Sequence, residues 1–105
     1  MRYPVVLENI EELRQREGID DVELRTEIQT LRIGDAIKLT FLNAKKASVG
    51  ETLLVRITQI EGRIFHGTLV QKPASHDLPD LRTGAVITFS SDHIHSIPAV
   101  HAGKH

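Results

Sequence analysis

The chain has 105 residues, of which 40% are hydrophobic, no cysteine, and a formal net charge of −1. This length predicts one domain with its own core, and the composition excludes a disordered chain, a disulfide scaffold and thiolate chemistry. The charge also argues against a generic nucleic-acid binder, which usually carries a clear excess of Lys and Arg.

The sequence contains no run of about 18 apolar residues, the length that a membrane-spanning helix needs. The apolar run near the N-terminus, Val5-Val6-Leu7, is too short for a signal peptide. We therefore expect a cytoplasmic protein with no membrane partner, and we predict no cofactor.

The first part of the chain has a helical pattern. Pro4 suits the first turn of a helix, Val6, Ile10 and Leu13 follow at helical spacing, and Gly18 suits the end. This pattern predicts a helix over about residues 5–17.

A second helix is predicted to start at Asp20 or Asp21, because Asp is a good N-cap. Leu24, Ile28 and Leu31 then recur at i, i+4 and i+7. The same segment also alternates as a strand would, so both readings stay open for residues 22–31, and the Asp caps favour the helix.

Five short strands are predicted after residue 33. The clearest begins at Gly34, where Ile37, Leu39 and Phe41 alternate with polar residues. The predicted strands cover residues 34–41, 53–60, 63–71, 85–89 and 93–97. Glu61-Gly62 gives the strongest hairpin signal, and Gly67 inside the third strand predicts a bulge or a sharp bend.

These elements predict an α+β fold, with one or two N-terminal helices packed on a small, strongly bent five-stranded antiparallel sheet or SH3-like barrel. The predicted single domain divides into a helical front (1–33), a β core (34–97) and a flexible tail (98–105). The phrase Leu-Arg-x-Gly occurs at 31–34 and again at 81–84, each time before a strand that ends in Phe. It indicates either a degenerate internal repeat or convergent turn chemistry, and we favour the second.

Several short motifs also occur in a characteristic order. They are Gly34-Asp35-x-Ile37-Lys38-Leu39-x-Phe41, Val55-x-Ile57-Thr58, Phe65-x-Gly67-Thr68-Leu69 and Phe89-Ser90-x-x-His93-Ile94. This order resembles the YegJ-like family of uncharacterised bacterial small-barrel domains over about residues 25–97. The resemblance implies the fold more than a function, since the family has no established reaction and some relatives look like immunity proteins. Leu54 stands at the family's Trp position, and Gln71-Lys72-Pro73 lacks the acidic residue of the family's turn.

Cations placed on or beside the predicted sheet form a candidate binding stripe. Its members are Lys38, Lys45, Lys46, Arg56, Arg63 and Lys72, and His66 and His76 complete the candidate binding set. Such a stripe fits the phosphates of RNA or DNA, or it is a solvated face that protects strand edges from aggregation.

The histidines also raise the question of metal binding and catalysis. His93 and His95 are two apart on a predicted strand and would face the same way, so with Asp92 and His66 they are weak candidates for metal ligands. His76-Asp77 and Asp80 resemble half of an acid–base pair, but no nucleophile elbow surrounds the serines and no phosphate-binding glycine loop is present. We therefore name no catalytic residue and no metal site.

The sequence leaves open whether the chain is an enzyme and favours a role without catalysis. We predict an interaction or immunity-type module that binds a protein partner or self-associates. The alternatives are a nucleic-acid-binding small β-barrel and a small His-dependent hydrolase or metal-binding protein. The first predicts an exposed apolar patch rimmed by charge, the second contiguous cations, and the third a pocket on which His and Asp side chains converge.

Overall fold

The computed structural model describes residues 5–45, 50–74, 78 and 81–98. This part of the chain forms two short helices and an antiparallel six-stranded sheet, which confirms the predicted α+β class. The elements are β1 (Val5–Leu7), α1 (Ile10–Arg16), α2 (Val22–Ile28), β2 (Ala36–Asn43), β3 (Gly50–Glu61), β4 (Ile64–Leu69), β5 (Val86–Ser90), a 3-10 helix (Ser91–His93) and β6 (Ile94–Ser96). None of the helices within the described ranges has the length and apolarity needed to cross a membrane.

The sheet runs in the order β1-β2-β3-β4-β5, and β6 returns to pair with β2. On β2, β6 pairs at Lys38 and Leu39, while β1 pairs further along, where Leu7 lies opposite Phe41. Because the 3-10 helix leads the chain from β5 directly to β6, this return bends the sheet into the nearly closed small barrel that we predicted.

Apolar residues alternate with more polar ones along the strands, and the apolar side chains fill the interior of the barrel. On β2, Ile37, Leu39 and Phe41 are buried while the residues between them are partly exposed, as the period-2 pattern predicts. Phe65 and Phe89 stack at a centroid distance of 5.3 Å across β4 and β5. All three phenylalanines therefore lie in the core, and the protein has no exposed phenylalanine for base stacking.

The predicted hairpin forms between β3 and β4. Gly62 has φ +62° in its turn, a conformation that glycine adopts without steric cost. The register shifts between Ile57 and Gln59, opposite Gly67, so the bulge expected near this glycine is present and its extra residue, Thr58, lies on β3.

The prediction of a helix over residues 5–17 is wrong at its start. Val5–Leu7 is strand β1, which extends the sheet beyond β2, and the helix begins only at Ile10. The side chain of Asn9 accepts a hydrogen bond from Glu12 N at 2.8 Å and so starts α1 at Ile10, three positions after the end of β1. The predicted helical front therefore contains a sixth strand, which raises the count from five.

Residues 22–28 are helical, which settles the alternative left open for this segment. Asp21 is the N-cap, and its carboxylate accepts from Leu24 N at 3.0 Å. Leu24 is buried, Ile28 packs against the barrel core, and Leu31, three residues after α2, belongs to that core, so the apolar side of α2 faces the barrel as expected.

The last strand is shorter than predicted. It covers Ile94–Ser96, and His93 belongs to the preceding 3-10 helix rather than to the strand. The predicted tail lies largely outside the described residues, which end at Pro98.

The two Leu-Arg-x-Gly segments form the same turn. Asp35 N donates to Arg32 O, and Ala85 N donates to Arg82 O, while Gly34 and Gly84 have φ +101° and +93°. Each glycine N–H then donates to the neighbouring strand, Gly34 to Ile57 O and Gly84 to Leu69 O.

These turns are related by a local twofold arrangement. Ala36 on β2 and Val86 on β5 end one cross-strand row, and Arg56 and Thr68 lie between them. A rotation of half a turn about the middle of this row exchanges β2 with β5 and β3 with β4. Residues of the first turn and β2 thus correspond to residues fifty positions later in the second turn and β5, and Arg56 on β3 corresponds to Thr68 on β4.

Candidate functional site

A groove runs between α1, α2 and the 3-10 helix and continues to the β3–β4 end of the barrel. It consists of two adjoining clefts of about 300 Å³ and about 210 Å³, which share Ile28, Gln29 and Ser91. We call it the helix–barrel groove. Its other lining residues are Glu11, Arg14, Leu24, Arg25 and Asp92 in the larger cleft and Leu31, Ile60, Gly62, Arg63 and Phe65 in the smaller one.

The floor of the helix–barrel groove is apolar because α2 does not cover the barrel completely. Leu24, Leu31 and Phe65 are almost fully buried, and Ile28 and Ile60 are half-buried beside them. Gln29, the C-cap of α2, is exposed above the point where the two clefts meet. A side chain of another molecule can therefore reach apolar surface here without moving the core.

The rim of the helix–barrel groove carries both signs of charge. Arg14, Arg25 and Arg63 supply cations, and Glu11 and Asp92 supply anions. Arg14 Nη2 donates to His95 O at 3.0 Å, which ties α1 to β6 and fixes one wall. Arg25 forms an exposed ion pair with Asp20 at 2.6 Å.

Three residues of the predicted binding set share the outer face of the sheet. Lys38 pairs with Leu54, and Arg56 is the next outward-facing residue on β3, so the two cations are diagonal neighbours. Arg56 Nη1 donates to Gly34 O at 2.8 Å and so supports the first Leu-Arg-x-Gly turn. His66 is half-buried on β4, and its Nδ1 lies 3.1 Å from Thr88 Oγ1.

The other predicted cations are dispersed. Lys45 follows β2, Lys72 follows β4, and Arg63 lies in the β3–β4 turn at the end of the helix–barrel groove. Lys46 and His76 lie outside the described residues. The described cations are thus placed on an outer face, two loops and a groove end, rather than in one continuous stripe.

The sequence pattern predicts that His93 and His95 face the same way on one strand, and this prediction is wrong. His93 lies in the 3-10 helix and His95 lies in β6. The half-buried His93 caps the 3-10 helix, and its Nδ1 accepts from Ser90 N at 3.0 Å. Burial lowers the pKa of His93, and the nearby Asp92 carboxylate raises it by less. His95 is exposed, with its Nδ1 2.9 Å from Ser96 Oγ. The residues that the structure describes include no cluster of three or more potential metal ligands.

The sequence did not identify the helix–barrel groove as a site. Its apolar floor was visible as the Leu24, Ile28 and Leu31 stripe, but such a stripe predicts core packing in most proteins. No local pattern indicates that Gln29 and Ser91 meet, because their positions depend on where α2 lies against the 3-10 helix.

No protein-family model, curated protein or solved structure matches this chain.

Proposed function

We propose that the chain is a non-catalytic binding module that takes a segment of a partner protein in the helix–barrel groove. The observation that carries the proposal is that apolar side chains line both adjoining clefts while side chains of both charges line the larger one. An apolar floor provides the desolvated centre that protein interfaces need, and a polar rim surrounds such centres.

The mixed rim favours a protein over a nucleic acid. Phosphate backbones require an excess of cations, and Glu11 and Asp92 oppose a polyanion in the larger cleft. A protein segment can instead place an apolar side chain on the floor and pair acidic and basic side chains with the rim.

The positions of the three histidines in the described part of the chain make catalysis a weaker proposal. His66, His93 and His95 are absent from the linings of both clefts, and each has its own hydroxyl or backbone neighbour. A His-dependent reaction needs a nucleophile and an orienting group that converge on the same pocket.

Gln29→Trp tests the proposal, because an indole at this exposed position fills the junction of the two clefts without altering the core. The tagged protein is used to capture partners from a lysate of its host cell, with and without nuclease. We expect a stoichiometric protein partner that resists nuclease and is lost with Gln29→Trp.

Thr26→Trp is the matched control. It puts the same side chain on an exposed position of α2 that lines neither cleft. Retention of the partner by both variants would reject the helix–barrel groove as the site. Recovery that disappears with nuclease would favour nucleic acid, with Lys38→Ala and Arg56→Ala as the next variants.

A further inference from the structure

The outer edge of β5 is separate from the helix–barrel groove, because no β5 residue lines either cleft. Within the described part of the chain, β5 pairs only with β4 and ends the main path of the sheet. An unpaired edge presents backbone donors and acceptors to any strand that approaches it.

The hydrogen bonds around β5 identify the free backbone groups. Leu69 N donates to Ala85 O at 2.9 Å, so the alternation of an antiparallel pair turns the groups of Ile87 and Phe89 toward β4 as well. The N–H and C=O groups of Val86 and Thr88 therefore point away from β4. The N–H of Ser90, two residues after Thr88, also points away from β4, but it already donates a hydrogen bond to His93 Nδ1.

The local twofold arrangement shows where a strand is missing. The equivalent edge of β2 is paired with β6 at Lys38 and Leu39. Fifty positions later, Thr88 and Phe89 occupy the same place on β5 and have no corresponding strand in the described residues. The edge at Thr88 is thus built like one that accepts a strand.

The sequence of this edge lacks the usual protection against pairing. Residues 84–91 contain no charged residue and no proline, and the strand consists of Val, Ile, Thr, Phe and Ser. Val86 is 75% exposed, and Thr88 is exposed beside it. Charge, proline or a bulge normally blocks such an edge.

We propose that two copies of this chain pair through antiparallel β5 edges about a twofold axis at Ile87. This register places Val86 of each copy opposite Thr88 of the other. It forms four backbone hydrogen bonds from the four free groups on each copy, and it leaves the Ser90–His93 bond intact. The edge is self-complementary and uncharged, so a second copy meets no electrostatic repulsion there.

The test compares the molar mass of the wild type with that of two double variants, measured by sedimentation from about 10 μM to about 1 mM. The wild type shifts from 11.7 kDa toward twice that mass as its concentration rises. Val86→Lys with Thr88→Lys places lysines opposite lysines and weakens the dimer by about tenfold or more. Val86→Lys with Thr88→Glu places each lysine opposite a glutamate and restores the dimer.

The two variants are matched, because both lose the Thr88 hydroxyl that lies beside His66. A twofold axis at Thr88 would instead place glutamate opposite glutamate, so failure of the restoring variant rejects the proposed register. Hydrogen exchange of the wild type adds an independent readout: the Val86 and Thr88 amides become protected as the dimer forms.

A wild-type protein that stays monomeric up to about 1 mM overturns the proposal. So does a dimer that both double variants leave unchanged, or protection of these two amides that does not depend on concentration. Pairing of β5 with a strand of a different protein would appear as amide protection only when that protein is added, and it would also reject the second copy as the occupant.

Discussion

Gly67 lies where β4 crosses close to β3 at the bulge. A Cβ at this position would lie 2.5 Å from Arg56 O and 2.8 Å from Val55 Cγ1. Moving the backbone of β3 far enough to relieve such short contacts would cost much energy. The absence of a side chain at Gly67 therefore allows the two strands to approach and the barrel to bend.

We predict that Gly67→Ala lowers the free energy of unfolding by about 1–3 kcal/mol through overpacking. Gly62→Asn is the control, because Asn tolerates a positive φ and a Cβ there meets no atom within 4 Å. This control should cost less than about 1 kcal/mol. Chemical denaturation measures both, and equal costs would contradict the steric explanation.

His93 makes stability depend on pH. Burial lowers its folded-state pKa below 6.5, and the Ser90 N–H bond requires an unprotonated Nδ1. The unfolded chain therefore protonates His93 more readily than the folded chain does. The stabilisation that unprotonated His93 gives the folded state is fully present above pH 6.5. It is lost as the pH falls from 6.5 through the lower folded-state value.

We predict that His93→Gln reduces this acid-side loss of stability, because Gln can still accept from Ser90 N but does not titrate. Urea unfolding at pH 8 and at pH 5 measures the difference. His95→Gln, the same change at the exposed histidine, should retain the decline seen in the wild type. An equally steep decline in His93→Gln would rule out His93 as its source.

At the scale of elements, the two Leu-Arg-x-Gly turns have the same structural role. Each reverses the chain through a glycine with positive φ and attaches it to the adjacent strand. Their shared geometry explains why the phrase occurs twice, whether the cause is a repeat or convergence.

We predict that Gly34→Ala and Gly84→Ala destabilise the protein by similar amounts, roughly 1–2 kcal/mol each, because an L side chain is strained at these φ values. Thermal or chemical unfolding of the two variants measures this. Destabilisation by only one of the two substitutions would show that the two turns do not contribute equally to the free energy of unfolding.

The elements also show which parts of the fold can be predicted from the sequence. The alternation on β2, the Gly62 hairpin and the Asp21 cap are local signals, and each predicted its element correctly. β1 was missed because three residues are too few for a periodic pattern, although Asn9 with Glu12 three residues later marked the true helix start. The helix–barrel groove and the β5 edge arise from contacts between distant segments, which no local pattern encodes.

At the scale of the whole molecule, stability is concentrated in the sheet. β2, β3 and β4 contribute most of the buried core, whereas α1 and α2 each bury one side chain, Ile10 and Leu24. Helices of seven residues are far below the length at which an isolated helix is stable.

We predict that native-state hydrogen exchange is slowest for the amides of Leu39, Val55 and Ile57 and much faster for those of α1 and α2. Nuclear magnetic resonance measures these rates residue by residue. Helix amides that exchange only with global unfolding would contradict this ranking and indicate a single cooperative unit.

The return of β6 to β2 has a consequence for the chain during synthesis. Ribosomes add about 5–20 residues per second, so Ile94 is made roughly 3–11 s after its partner Leu39. Until Ile94 is made, the place of β6 on β2 stays unfilled, and we expect a strand of a neighbouring nascent chain to compete for it. We therefore expect the yield of correctly folded protein to depend on ribosome crowding on the messenger as well as on the stability of the finished barrel.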